Sequence, residues 1–107
     1  MTSKEFFPPR PPSKPMIYAY EDDLYPGKLK IGYTTRDVRA RVAQQYPTKR
    51  PDGKLPYRIV LEESAMRDDG TSFDDREVHR TLREWGVMNP GGEWYECKVD
   101  QVKSAVL

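Results

Sequence analysis

Two stretches near the start of the chain alternate apolar and polar residues, which is the pattern of half-buried β-strands. The first is MIYAYE, residues 16–21, and the second is KLKIGYT, residues 28–34. Between them, DDLYPG has the composition of a tight turn. The two segments therefore predict an antiparallel hairpin, with Leu29, Ile31 and Tyr33 on one face.

Further along, apolar residues recur every three to four positions, as on one face of a helix. Two helices are predicted, one ending at Pro47 and one over about residues 73–85, with inward positions Val38, Val42, Tyr46, Val78, Leu82 and Trp85. YRIVLEES (57–64) and EWYEC (93–97) predict two more strands, and a terminal helix follows. The order β-β-α-β-α-β-α predicts an α+β fold, a small antiparallel β-sheet flanked by helices.

The helix starts and the closing aromatic residue are also predicted from local patterns. Thr34 and Asp37 have the spacing of a capping box at the first helix, and Ser72 and Asp75 have it at the second. Trp94 is expected to close the hydrophobic core from the last strand.

Residues 1–15 include the proline-rich FFPPRPPSKP and predict an extended or disordered leader. This segment could bind an SH3-like partner, but a leader or linker is the favoured interpretation. Residues 16–107 are the predicted domain. Because VDQVKSAVL predicts a helix without a stop signal, we expect C-terminal domains of a longer protein to be its partners.

Composition narrows the class of protein. The chain has 107 residues, 33% charged and 36% apolar, which suits one folded domain. A net charge of +1 means that any nucleic-acid site must be a local basic patch. The single cysteine, Cys97, excludes an internal disulfide and a cysteine-rich zinc site. No apolar run approaches the roughly 20 residues that span a bilayer, so we expect a cytoplasmic protein.

The segment LKIGYTTRDVRAR, residues 29–41, joins a strand, a glycine, a polar turn and a basic helix. Gly32 permits either the close approach of a ligand or a bulge, and both alternatives are open. Arg41 lies about 60° from Val38 on the helical wheel and so borders the apolar stripe. Its guanidinium fork either extends to solvent or reaches into a cleft, where it would suit phosphate oxygens.

Taken in order, these segments resemble the GIY-YIG nuclease superfamily. IYAY matches the first half-motif from Ile17 to Tyr18, and KIGYTTRDVRAR matches the second half-motif and the helix after it. DDREVHRTLREWGV and GGEWYEC resemble the phage-type branch. Met16 replaces the glycine of the first half-motif, and Lys30 replaces the tyrosine of the second.

The resemblance implies cleavage of phosphodiester bonds with one divalent metal, Mg²⁺ or Mn²⁺. It implies that Tyr18 helps to activate water and that Arg41 stabilises the phosphate. It also implies that an acidic residue of the second helix holds the metal. Family spacings favour Asp75 by one measure and Glu77 by another, so both remain candidates.

Further residues are expected to support the chemistry or to contact DNA. Tyr33 could supply a hydroxyl near the missing tyrosine, and Glu93 could face the site. His79, the only histidine, could carry a proton or be structural. The expected nucleic-acid contacts are Lys30, Gly32, Arg36, Arg39, Lys49, Arg50 and Lys54.

Three hypotheses follow. The leading one is a metal-dependent DNA endonuclease domain, fused in the longer protein to a helicase-type or restriction-type module. The alternative is a catalytically silent DNA-binding module of the same fold, because the amine of Lys30 cannot orient water as a phenol does. A protein-interaction domain is the third, and it rests on the leader and the near-neutral charge.

Overall fold

The computed structural model describes residues 14–106, so almost all of the predicted leader, residues 1–15, lies outside the described residues. The structure consists of eight elements: β1 (Met16–Asp22), β2 (Leu29–Thr34), α1 (Val38–Ala43), β3 (Tyr57–Ser64), α2 (Asp75–Glu84), β4 (Met88–Gly91), β5 (Trp94–Glu96) and α3 (Val99–Val106).

The strands form one antiparallel sheet in the order β3-β1-β2-β5-β4. This confirms the predicted α+β class and the β1–β2 hairpin, in which Tyr18 is paired with Gly32. Strand β4 was not predicted, because Asn89 and Pro90 are typical of a chain break. A short strand at the sheet edge tolerates proline, since its outer N–H groups have no neighbouring strand to pair with.

Side chains alternate across β1, so this central strand contributes to two cores. Ile17 and Ala19 face α2 and α3, whereas Tyr18 and Tyr20 face α1. The core on the α2 and α3 side contains Ile17, Ala19, Leu29, Ile31, Leu61, Ala65, Val78, Leu82, Tyr95 and Val102. Tyr33 packs against this same core, as its predicted face requires. The core on the other side contains Tyr18, Tyr20, Val38 and Val42.

The start of α1 differs from the capping-box prediction. Asp37 is the N-cap, because its Oδ2 accepts the backbone N–H of Ala40 at 3.2 Å. Thr34 instead accepts the backbone N–H of Arg36 at 3.0 Å in the turn before the helix. The helix also ends at Ala43, earlier than the proline stop predicted.

The start of α2 was likewise predicted too early, by two positions. Asp74, not Ser72 paired with Asp75, is the N-cap and accepts the backbone N–H of Arg76 at 3.0 Å. An aspartate directly before the first turn reaches a free N–H without help from a second side chain. Asp75 is therefore not needed as a cap.

The prediction for Trp85 was wrong, whereas Trp94 does pack against a core, the one that contains Tyr18 and Tyr20. Trp85 follows the last residue of α2 and remains 54% exposed, because Gly86 turns the chain with a φ of +79°. On β5 the fully buried residue is Tyr95. Alternation places Trp94 on the opposite face, where its ring lies 5.8 Å from that of Tyr20.

Candidate active site

Tyr18 is nearly fully buried, and its ring lies over Gly32 on the paired strand. A Cβ atom added at Gly32 would come within 2.4 Å of the Tyr18 Cζ and hydroxyl oxygen. Gly32 has no positive φ and lies outside the register shift between Ala19 and Tyr20. Gly32 is therefore not a bulge but makes room for the tyrosine ring, and its contact with a ligand stays a prediction.

We predict that Gly32→Ala destabilises the fold by about 1–3 kcal/mol, the usual cost of forcing extra volume into a packed site. The free energy of unfolding from denaturant titration measures this loss. Gly91→Ala is the matched control, because a Cβ there meets nothing within 4 Å. In a Tyr18→Leu background the penalty should largely disappear. An equal loss in both backgrounds would contradict the steric explanation.

Gln45, just beyond the end of α1, holds the centre of the site and was missed from the sequence. Its Nε2 donates to the Tyr18 hydroxyl at 3.1 Å, and its Oε1 accepts from the Tyr20 hydroxyl at 2.7 Å and from Lys30 Nζ. The only sequence signal was its position one helical turn after Arg41.

The donors around Gln45 fix the orientation of its amide. A lysine ammonium can only donate, so the oxygen must face Lys30 and the nitrogen must face Tyr18. Burial raises the pKa of Tyr18, whereas the Gln45 hydrogen bond and the Arg41 charge oppose that rise. The environment therefore contains two groups that favour the phenolate.

Lys30 lies on the same face of β2 as Gly32 and therefore beside Tyr18. Its Nζ is 3.8 Å from Glu93 Oε2 and 5.7 Å from the centroid of the Tyr20 ring. Burial lowers the pKa of Lys30, and the charge of Arg41 lowers it further, while Glu93 raises it. Lys30 therefore lies between Tyr20 and Glu93.

Arg41 is exposed, and its guanidinium is 3.5 Å from Gln44 Oε1. No carboxylate of residues 14–106 lies within ion-pair distance of it. Arg41 belongs to α1, which packs on the Tyr18 and Tyr20 face of the sheet, and its charge lowers the pKa of both Tyr18 and Lys30. Arg41 also borders a shallow cleft of about 350 Å³ together with Tyr33.

The acidic side of the site is formed by Asp75 and Glu93. Burial raises the pKa of the Glu93 carboxyl, and the neighbouring Asp75 carboxylate raises it further. Asp75 Oδ2 is also 3.9 Å from His79 Nε2. His79 is buried, and the same nitrogen lies 2.9 Å from the Ile31 carbonyl oxygen, to which it can donate. This contact joins α2 to β2 next to the residues at which β2 pairs with β5.

Glu77 and the ring of Tyr33 lie apart from the site formed by Tyr18, Lys30 and Asp75. Glu77 lies on the other flank of α2, where its Oε2 is 2.5 Å from Arg67 Nη2. Tyr33 is on the α2 and α3 face of the sheet, opposite Tyr18, although it reaches the edge of the Arg41 cleft. Of the two candidate metal ligands, Asp75 and Glu77, only Asp75 lies near Tyr18.

The predicted DNA contacts occupy different positions. Arg36 lines the cleft beside Arg41, and Arg39 and Lys49 are exposed. Arg50 is engaged by Asp23 at 3.5 Å and by Asp52 at 3.2 Å. A phosphate would have to compete with these carboxylates for Arg50.

Residues 14–106 contain neither a ready-made metal cluster nor a membrane-spanning helix. Within this part of the chain, no group of three His, Cys, Asp or Glu side chains could hold a metal unaided. In the same residues, no helix has both the length and the apolar character needed to cross a membrane.

Comparison with known proteins gives one match. A family model, that of the T5orf172 domain, matches residues 16–107. No curated protein and no solved structure matches the chain significantly. The family match indicates a nuclease-like, DNA-acting module with DNA as partner. It is less specific than the GIY-YIG resemblance, because it identifies neither a metal nor catalytic residues. The chain belongs to the T5orf172 domain family, a phage-associated group in a nuclease-related superfamily.

Proposed function

We propose that this domain is a metal-dependent endonuclease that cuts phosphodiester bonds in DNA at the face formed by Tyr18, Lys30 and Arg41. The observation that carries the proposal is the meeting of a phenol and an amine at the Gln45 amide, with the Arg41 charge close enough to lower the pKa of both Tyr18 and Lys30. Water activation and charge stabilisation need these groups at one place. The GIY-YIG resemblance implies the same roles for Tyr18 and Arg41.

Tyr18 is proposed to orient and deprotonate the attacking water. Because Gln45 donates its N–H to the phenol oxygen, it stabilises the phenolate, which is the form of Tyr18 that can accept a proton from water. Arg41 is proposed to bind the phosphate oxygens through its fork of N–H donors. His79 is proposed to position α2 through the Ile31 carbonyl, with proton transfer as a second possible role.

Asp75 and Glu93 are the residues that would hold Mg²⁺ or Mn²⁺. Two neighbouring carboxylates match the hard oxygen donors that magnesium prefers, and magnesium often binds one or two carboxylates and several waters. The absence of a third protein ligand among the described residues is compatible with that mode. A bound ion would supply Lewis-acid stabilisation of the phosphate.

The experiment is a nicking assay on supercoiled plasmid with Mg²⁺ or Mn²⁺, using the domain and any longer chain that contains it. The expected result is open-circular DNA from the wild type and almost none from Tyr18→Phe. The proposal includes a helicase-type or restriction-type module in the longer chain, as the resemblance implies. Wild-type protein that binds DNA but never nicks it would contradict the endonuclease proposal.

We predict that the nicking rate rises with pH from 7 to 9 without a plateau. Burial raises the pKa of Tyr18 above its ordinary value of 10.0, so the phenolate fraction grows with pH throughout this range. Gln45→Leu removes a donor that favours the phenolate and should slow nicking about tenfold at each pH, as expected for one hydrogen bond. NMR titration of ¹³C-labelled tyrosine, assigned with Tyr18→Phe, should show a higher Tyr18 pKa. An unchanged titration would contradict this role of Gln45.

The second candidate function is a catalytically silent DNA-binding module. Burial disfavours the Tyr18 phenolate, and the amine of Lys30 is bonded to Gln45 and lies near Glu93. These observations favour a site that recognises phosphate without cutting it. The nicking assay, paired with a binding measurement on the same DNA, separates the two functions.

A further inference from the structure

A second concave site lies beyond the end of α1, between that helix and the start of β3. It encloses about 590 Å³, the size range of small-molecule sites in proteins. Its lining is mostly apolar and includes Ala43, Tyr46, Pro47, Leu55, Pro56 and Tyr57. We call it the tyrosine pocket.

Two stacked tyrosines give the pocket an aromatic wall. The rings of Tyr46 and Tyr57 have centroids 4.7 Å apart and an interplanar angle of 28°. The Tyr46 hydroxyl donates to Asp22 Oδ2 at 2.6 Å, which fixes its ring. The pocket is open to solvent at Leu55, whose side chain is 66% exposed. A planar ring could enter and contact this wall.

The rim of the pocket is basic. Lys49, Arg50 and Lys54 all line it. Arg50 is engaged by Asp23 and Asp52, but no described carboxylate pairs with Lys49 or Lys54. An apolar aromatic wall beneath free ammonium groups matches a ligand with a flat base and an attached phosphate.

The pocket and the Tyr18 site lie on one face of the sheet. Tyr46 and Tyr57 each contact Tyr20 edge-on, with centroids 5.8 Å and 5.9 Å from its ring. The Tyr20 hydroxyl in turn shares the Gln45 amide with Tyr18. One DNA strand could therefore contact both places.

We propose that the tyrosine pocket binds one unstacked nucleotide of the DNA, with its base against Tyr46 and Tyr57 and its phosphate near Lys49 and Lys54. The proposal deepens the endonuclease function and rests on it. The preferred substrate is then DNA with an unpaired nucleotide near the cleaved bond. Such a base costs less to unstack than a paired one.

The test measures dissociation constants by fluorescence anisotropy, in EDTA so that the result does not depend on cleavage. Three labelled probes of equal length are compared: an intact duplex, the duplex with one bulged nucleotide, and the duplex with an abasic residue at that bulge. Wild-type protein should bind the bulged probe about tenfold more tightly than the other two, because base stacking on an aromatic side chain supplies a difference of this order.

Substitutions separate the base from the phosphate. Tyr57→Leu should remove the preference for the bulged probe, and Leu55→Ala, at an exposed position, should reduce it about threefold without affecting folding. Lys49→Ala and Lys54→Ala should weaken binding of the bulged and abasic probes by the same factor, because both probes carry the phosphate of the extra nucleotide. Trp85→Leu and Lys103→Ala are the matched controls away from the pocket, and neither should change the preference.

Equal binding of the bulged and abasic probes would overturn the nucleotide site while leaving the endonuclease proposal to the nicking assay. A preference that survives in folded Tyr57→Leu protein would overturn it as well. So would binding of the peptide FFPPRPPSKP with NMR shifts centred on Tyr46 and Tyr57, because the pocket would then be a proline-peptide site.

Discussion

Arg41→Ala should lower the rate of magnesium-dependent nicking by about 10²-fold or more, the usual loss when one transition-state charge partner is removed. Arg41 has no competing carboxylate among the described residues, so its guanidinium is available to a phosphate. DNA affinity should fall much less, because ground-state binding is spread over many phosphates. Single-turnover nicking and equilibrium binding on the same DNA measure the two effects.

Arg39→Ala is the matched control for this prediction. Arg39 is an exposed arginine of the same helix, two residues away, and it does not line the cleft that Arg41 borders. Its loss should reduce affinity slightly and leave the cleavage step unchanged. If both variants lost the same small factor in rate, Arg41 would be a general DNA contact and not a transition-state partner.

Asp75→Asn should abolish metal-dependent nicking, with a loss of about 10³-fold or more, while Glu77→Gln should retain it. A bound metal stabilises phosphate charge by several kcal/mol, and Asp75 is the acidic residue that neighbours Glu93 and lies 3.9 Å from His79. Glu77 lies on the other flank and pairs with Arg67. Rates in Mg²⁺ and Mn²⁺ and calorimetric titration of Mn²⁺ test both variants.

The free energy of unfolding of Glu77→Gln and Asp75→Asn shows whether both variants fold. The Arg67–Glu77 pair is about half exposed, with side-chain exposures of 42% and 45%, so Glu77→Gln should cost less than about 1 kcal/mol. Asp75→Asn keeps the shape of the side chain and should also fold. Loss of nicking in Glu77→Gln with full activity in Asp75→Asn would reverse the assignment of the metal ligand.

The sequence predicted the parts of this protein that depend on local periodicity. The strand predicted over residues 57–64 has the same bounds as β3, and the face of Leu29, Ile31 and Tyr33 lies where it was expected. Val38 and Val42 are buried as the helical spacing predicted. These features follow from the residue order alone, because a strand or a helix repeats its faces at a fixed interval.

Capping and helix ends were less predictable. Several polar residues near Asp37 and Asp74 can satisfy the same free N–H groups, so sequence spacing does not decide among them. The edge strand β4 was not predicted from the sequence, for a related reason. Its residues have turn composition, and pairing with β5 makes them a strand.

Which of Asp75 and Glu77 lies near Tyr18 was decided only by the tertiary structure. A helical wheel places these two residues on opposite flanks, but it does not say which flank the sheet will meet. The contact between His79 and the Ile31 carbonyl fixes that rotation. The function of Gly32 also needed the fold, since the ring that requires its space comes from another strand. The sequence by itself determined which residues form most of the strands and helices and which face each of these residues occupies. Only the tertiary structure determined which side chains meet in the site, because they come from segments that are far apart in the sequence.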